Sequence, residues 1–263
     1  MTSETFTVYP TQKHKLPVPP SKIYLHGLDA FNSPIQILNH RFYRVPPSSA
    51  CNVIKKLRST LAETLEFYPP ITGKVTTCPQ GELIIALDKQ EGTPFLVHTK
   101  DTPYTGDSED LSPRPGLLLP PDSPILAVKV TVFACGTFAV ATSIHHRVTD
   151  LRGFLDILEL WSKLMRDEPV DLTRIPSDWT RTPSRFFPKP SSRVPDVPPP
   201  FHVLSEPRTG PAPYLLVPSV VTRWKITKND LNNLKRDASP SGSNKGKNKG
   251  LSNTRIITYR YLY

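Results

Sequence analysis

Ser143-Ile144-His145-His146-Arg147-Val148-Thr149-Asp150 ends an apolar alternating segment and opens an amphipathic helix. Residues 125–134 and 137–144, separated by Cys135-Gly136, read as two strands joined by a tight glycine-containing turn. After Asp150, the residues Leu151, Phe154, Leu155, Leu158, Trp161, Leu164 and Met165 recur at helical spacing. Thr149 or Asp150 is placed to cap that helix. Successive side chains of a strand point to opposite faces, so His145 and His146 do not share a pocket while the strand stays extended. A histidine at a strand end and an aspartate at a helix start define the candidate site.

Outward from that junction, residues 5–9 and 35–45 have strand character. The pattern predicts a helix over 50–67, capped by Ser48 or Ser49 and burying Val53, Ile54, Leu57, Leu61 and Leu65, with Pro69-Pro70 ending it. Strands are expected at 71–77, 82–87 and 94–98, the first two joined by the turn Cys78-Pro79-Gln80-Gly81. Residues 103–123 read as a polar, proline-rich loop with an apolar insert, Leu117-Leu118-Leu119. Further on, 220–226 reads as a strand and 229–237 as a short helix. Helices packed on a mixed sheet make an α/β layered domain.

Composition narrows the function classes. Of the 263 residues 37% are hydrophobic, enough for a real core. Eleven of the 31 prolines fall in 183–218, where no helix or central strand survives that density, so an extended connection is expected. The formal charge is +10, but from Val221 onward ten Lys and Arg face two acids, leaving the rest of the chain close to neutral. A basic tail on a neutral body touches phosphates without reading bases, so no specific nucleic-acid partner is assigned. Cys51, Cys78 and Cys135 are odd in number and lack metal-ligand spacing, which fits free thiols in a reducing compartment. The first fifteen residues carry no signal-peptide core and no run has membrane-span length, so a cytoplasmic protein without a membrane partner is expected.

The H-x-x-x-D of His146-Arg147-Val148-Thr149-Asp150 resembles the signature of the BAHD acyltransferases and their fungal relatives, a group that includes trichothecene acetyltransferases. Tyr68-Pro69-Pro70-Ile71-Thr72-Gly73-Lys74, after the first long helix, is similar to that family's F-Y-P-x-x-G-[KR] exit. The strand-turn-strand feeding the histidine and Asp178-Trp179-Thr180-Arg181-Thr182-Pro183 look like the fungal branch. The resemblance covers about residues 5–237, little more than the first half of a member, and the second signature D-F-G-W-G does not occur. Leu151 stands where glycine usually follows the aspartate, with Gly153 two residues later.

The resemblance implies a chloramphenicol-acetyltransferase-like layered domain, α/β with a mixed sheet, and a second domain cut short. The expected boundaries are an acyltransferase domain over 1–182, a proline-rich crossover over 183–219, the start of a second domain over 220–237 and a basic low-complexity tail over 238–263. It implies acyl transfer from acyl-CoA, a co-substrate rather than a resident cofactor, to a hydroxyl or amine of a small secondary-metabolite acceptor. His146 would be the general base and Asp150 a structural brace of the motif, acting through an arginine. Histidine suits the first task because it titrates near neutral pH. His145 is read as a hydrogen-bonded core or loop histidine, and Phe154, Trp161 and Met165 as core. The residues that would hold CoA are unassigned. A chain ending this early in the second domain is expected to be inactive or nearly so, and a completed protein to be a monomer. Two other readings stay open: a non-catalytic remnant that binds a small molecule or partner, and a metal-dependent hydrolase, although no metal ligand set is evident beyond His145, His146 and Asp150.

Overall fold

The computed structural model describes residues 2–14, 16–25, 29, 32–88, 91–106, 111–176, 179 and 226–237. In chain order the strands are β1 (Thr2–Val8), β2 (Lys22–Tyr24), β3 (Gln36–Arg44), β4 (Lys74–Thr77), β5 (Leu83–Ala86), β6 (Thr93–Lys100), β7 (Leu126–Phe133) and β8 (Thr137–His145). The helices are α1 (Pro47–Phe67), α2 (Leu151–Met165) and α3 (Lys228–Asp237). Five strands pair in the order β1-β6-β7-β8-β3, with β6 and β7 parallel and the other neighbours antiparallel, so the sheet is mixed. A smaller antiparallel sheet runs β2-β5-β4.

Alternation along β8 divides the core. Phe138, Val140 and Ile144 join the main cluster with Phe154 and Trp161, whereas Ala139 and Ala141 meet Leu111 and Phe133 on the opposite face. Helix α1 buries Leu57, Leu61 and Leu65, and α2 buries Phe154, Ile157, Leu158 and Trp161. Each such side chain contributes roughly 1.5–3 kcal/mol on leaving water. The helices are also tied by the Trp161 indole N–H, which donates to the Leu57 carbonyl (3.2 Å) and to Thr60 Oγ1 (3.1 Å). The hairpin that delivers β8 turns at Gly136, whose φ of 77° is the left-handed region that favours glycine.

Gly73 joins the two sheets. Its carbonyl accepts the Ile125 N–H at 3.1 Å, just before β7. A Cβ added there would lie 2.4 Å from the Ala86 carbonyl oxygen, so the glycine of the Tyr68–Lys74 motif answers a close backbone approach.

Several expectations need correction. Helix α1 starts at Pro47 after Pro46 and has no side-chain cap, so Ser48 and Ser49 lie within its first turn; proline fits there because the first N–H groups of a helix go unbonded anyway. The strand expected over 71–77 begins only at Lys74, since Pro69–Thr72 is a 3-10 turn. Strand β2 went unanticipated in its proline-rich surroundings. On α2, Phe154, Leu158, Trp161 and Leu164 are buried as the spacing suggests, but Leu151 and Leu155 are exposed, while Ile157 and Leu160 join the buried face. The proline-rich segment before β7 is a loop as expected, and its apolar residues pack: Leu111 and Leu119 are buried, and Leu118 bridges to Ile35.

Contacts divide the chain into two compact units, Met1–Pro211 and Ala212–Tyr263. In the second, α3 falls where a short helix was expected over 229–237. The expected crossover over 183–219, residues 220–225 of the expected strand and the tail over 238–263 lie outside the described residues, as does Asp178.

Candidate active site

Strand β8 carries the first histidine to the sheet end. His145 pairs in register with Gln36 of β3, and its N–H donates to the Ile125 carbonyl at 3.0 Å. The chain then turns, the Val148 N–H returning to the His145 carbonyl at 3.0 Å. His145 is 4% exposed, on the face covered by the segment before β7. Its Nδ1 accepts the Arg147 N–H at 3.1 Å, which places the ring proton of the neutral form on Nε2. Burial, then the charges of Arg147, Arg114 and His146, push its pKa down to about 4. His145 is therefore a neutral, structurally engaged imidazole at pH 7, in line with its reading as a core residue.

His146 is differently placed. It is half-buried, and its N–H donates to the Ile35 carbonyl at 2.9 Å, extending the β3–β8 pairing by one bond. Its ring Nδ1 is buried without a hydrogen-bond partner among the described residues. Buried polar atoms are nearly always paired, so an orphaned ring nitrogen calls for a reason.

Asp150 opens α2. Its Oδ1 accepts the Gly153 N–H at 2.8 Å, and its carbonyl accepts the Phe154 N–H at 3.0 Å. This is the N-cap that the sequence allowed, and of the two candidates it is Asp150 rather than Thr149 that makes it. The motif arginine, Arg147, reaches elsewhere: its Nε donates to the Asn32 carbonyl at 2.8 Å. A Cβ on Gly153 would meet Thr149 Oγ1 at 2.3 Å, so glycine at this position lets the motif loop fold back on the first turn of α2. His145, His146 and Asp150 are thus brought to one junction with unlike surroundings. Among the described residues no three His, Cys, Asp or Glu side chains gather as a metal site.

Sequence reasoning missed two residues of this junction, Gln36 and Arg114, and gave Ser143 no role. The Arg114 Nη1 donates to the Pro124 carbonyl (2.6 Å), and Nη2 to the carbonyls of Ile125 and Ser143 (3.0 Å each). Ser143 Oγ donates to Gln36 Oε1 at 2.6 Å. Burial draws the Arg114 pKa down to about 10, still fully charged at neutral pH. No periodicity links positions this far apart, and Arg114 looks like an ordinary loop cation in sequence.

Two cavities lie nearby. One of about 370 Å3 is bounded by β3, β8, α1 and α2, with Tyr43, Val53, Phe138, Trp161 and Met165 among its walls. Another of about 200 Å3 sits behind the motif loop, between Val148, Thr149 and Gly153 on one side and Tyr68 and Trp179 on the other. His146 lines neither. No helix among the described residues is long and apolar enough to cross a membrane.

The Transferase family pattern matches residues 3–257. A taxadien-5-alpha-ol O-acetyltransferase of Taxus chinensis is 31% identical over 171 residues, 58% of this chain and 38% of that protein. A hydroxycinnamoyl-CoA:5-hydroxyanthranilate N-hydroxycinnamoyltransferase of Avena sativa is 27% identical over 199 residues, 72% of this chain and 44% of that protein. The chain thus spans less than half the length of these curated relatives. The crystal structure of vinorine synthase superposes with a TM-score of 0.62 at 19% identity, covering 92% of this chain and 57% of that one. The fold is that of a chloramphenicol-acetyltransferase-like domain.

Proposed function

The chain belongs to the Transferase family, whose members here are acyl-CoA-dependent acyltransferases of the BAHD type, and on that premise we propose that it supplies the base-bearing part of such an enzyme. The reaction moves an acyl group from acyl-CoA to a hydroxyl or amine of a small secondary-metabolite acceptor. The relatives include an O-acetyltransferase and an N-hydroxycinnamoyltransferase, so both acceptor atoms stay within the class.

The unpartnered, buried ring nitrogen of His146 carries this reading. An imidazole fixed at a strand end, with an Nδ1 that no group among the described residues claims, is equipped to exchange a proton with a bound molecule. The acceptor's proton passes to His146 as its oxygen or nitrogen attacks the thioester carbonyl. The carbon–sulfur bond then breaks, and the proton goes to the CoA sulfur, leaving CoA thiol, the acylated acceptor and a neutral histidine. No covalent enzyme intermediate is needed, nor any resident cofactor or metal. Asp150 braces the loop through its cap on α2 and takes no proton. With a complete second domain closing the site, we expect a cytoplasmic monomer.

Acceptor-dependent release of CoA thiol tests the proposal in a form carrying a complete second domain. His146→Ala should lower turnover by about 10²–10⁴-fold with the fold intact. Unchanged turnover in that variant removes His146 from the role.

A further inference from the structure

We propose that Arg114 is a positioning residue, whose guanidinium holds the Ile125 carbonyl that seats His145 and which, with Gln36 and the segment after it, fixes the residues on either side of the Ile35 carbonyl that seats His146. The inference rests on His146 being the base, but the clamp itself is measurable without turnover.

The His145 N–H is received by the Ile125 carbonyl, and that same oxygen accepts Arg114 Nη2. Arg114 also holds the carbonyls on either side of this seat: Pro124, one residue before Ile125, and Ser143, two residues before His145. The His146 N–H is received by the Ile35 carbonyl. Ile35 lies between two residues fixed by the segment that follows Arg114, since Gln36 N–H donates to the Leu117 carbonyl (3.0 Å) and Leu119 N–H to the Pro34 carbonyl (2.7 Å). The Gln36 side chain closes the arrangement. Its Oε1 accepts Ser143 Oγ–H, and its Nε2 donates to the carbonyls of Gly116 and Arg114. Both histidine seats are therefore held from one short segment, on the face of the sheet opposite the helices.

A planar fork of five donors spans three carbonyls at once, which a lysine ammonium on a flexible stem does not reproduce. Enclosing a guanidinium costs free energy, visible in its lowered pKa. That cost falls at the strand ends that present the histidines, where misplacement of about 1 Å lowers a rate by about 10²-fold.

Amide hydrogen exchange in the 263-residue chain reads the clamp directly. In Arg114→Lys, protection at the His145 and His146 amides should fall about tenfold, while the mid-ladder amides around Val130 and Val140 stay as in the parent. Gln36→Leu should show the same local loss and serves if Arg114→Lys does not fold. In the form with a complete second domain, Arg114→Lys should lower kcat by about 10²-fold with KM within about twofold. Unchanged protection at His145 and His146, or a uniform loss along β7 and β8, overturns the clamp. Local loss with kcat unchanged overturns its role in positioning. Absence of any acyl transfer by the unsubstituted form with a complete second domain sinks the acyltransferase reading, and exchange still decides the clamp.

Discussion

Acidification should unfasten this domain through His145. In an unfolded chain its imidazole titrates at its ordinary value of 6.5, and in the fold at about 4, so below pH 6.5 the unfolded state binds a proton that the native state refuses. The stabilisation is complete above pH 6.5 and is lost as pH falls towards 4. Linkage between those two values takes about 2 kcal/mol from the native state on going from pH 7 to pH 5, and about 3 kcal/mol by pH 4. His145→Asn is the informative variant, because the amide oxygen can accept the Arg147 N–H in place of Nδ1 and has no proton to gain. Urea unfolding of parent and variant at pH 7, 6 and 5 isolates the residue, since every other titrating group is common to both. The parent should lose about 2 kcal/mol more than the variant across that range, even if the variant starts lower. Parallel stability curves would falsify the burial argument and mean that water or an acid reaches the ring.

Asp150→Ala should cost about 0.5–2 kcal/mol of stability, with Asp150→Ser recovering most of it, as read by urea midpoints; equal losses in both would point away from a cap and towards the carboxylate charge. Gly73→Ala should destabilise by about 1–3 kcal/mol, because the added methyl runs into the Ala86 carbonyl rather than a yielding side chain, and a neutral result in thermal melts would show that β4 and β5 separate freely.

What the sequence disclosed, it disclosed through local periodicity. The alternation before His145 and the helical spacing after Asp150 were sufficient to place β7, β8 and α2, and the cap followed from the type of residue at the junction. The edges of the buried face of α2 were not legible, because Leu151 and Leu155 keep helical spacing as well as Ile157 and Leu160 do, and packing chooses between them. Strand β2 owes its existence to β5, which pairs with it from some sixty residues away, not to its own three residues. The histidine pair was legible as a junction whose two members face unlike surroundings; the Arg114 and Gln36 support was not, since it depends on a tertiary meeting of segments 78 residues apart.

The strand order also sets a timetable. Among the described residues strand β3 pairs with no strand but β8, about a hundred residues later, and β1 pairs with β6 at a similar remove. At ribosomal speeds of about 5–20 residues per second, β3 waits on the order of 5–20 s for its partner to be made. Non-local pairing of this kind delays folding, because loop closure must precede the contacts that reward it. The junction at His146 needs β3, the segment from Arg114 to Leu119 and β8 together, so it is among the last parts of the domain that a nascent chain can assemble.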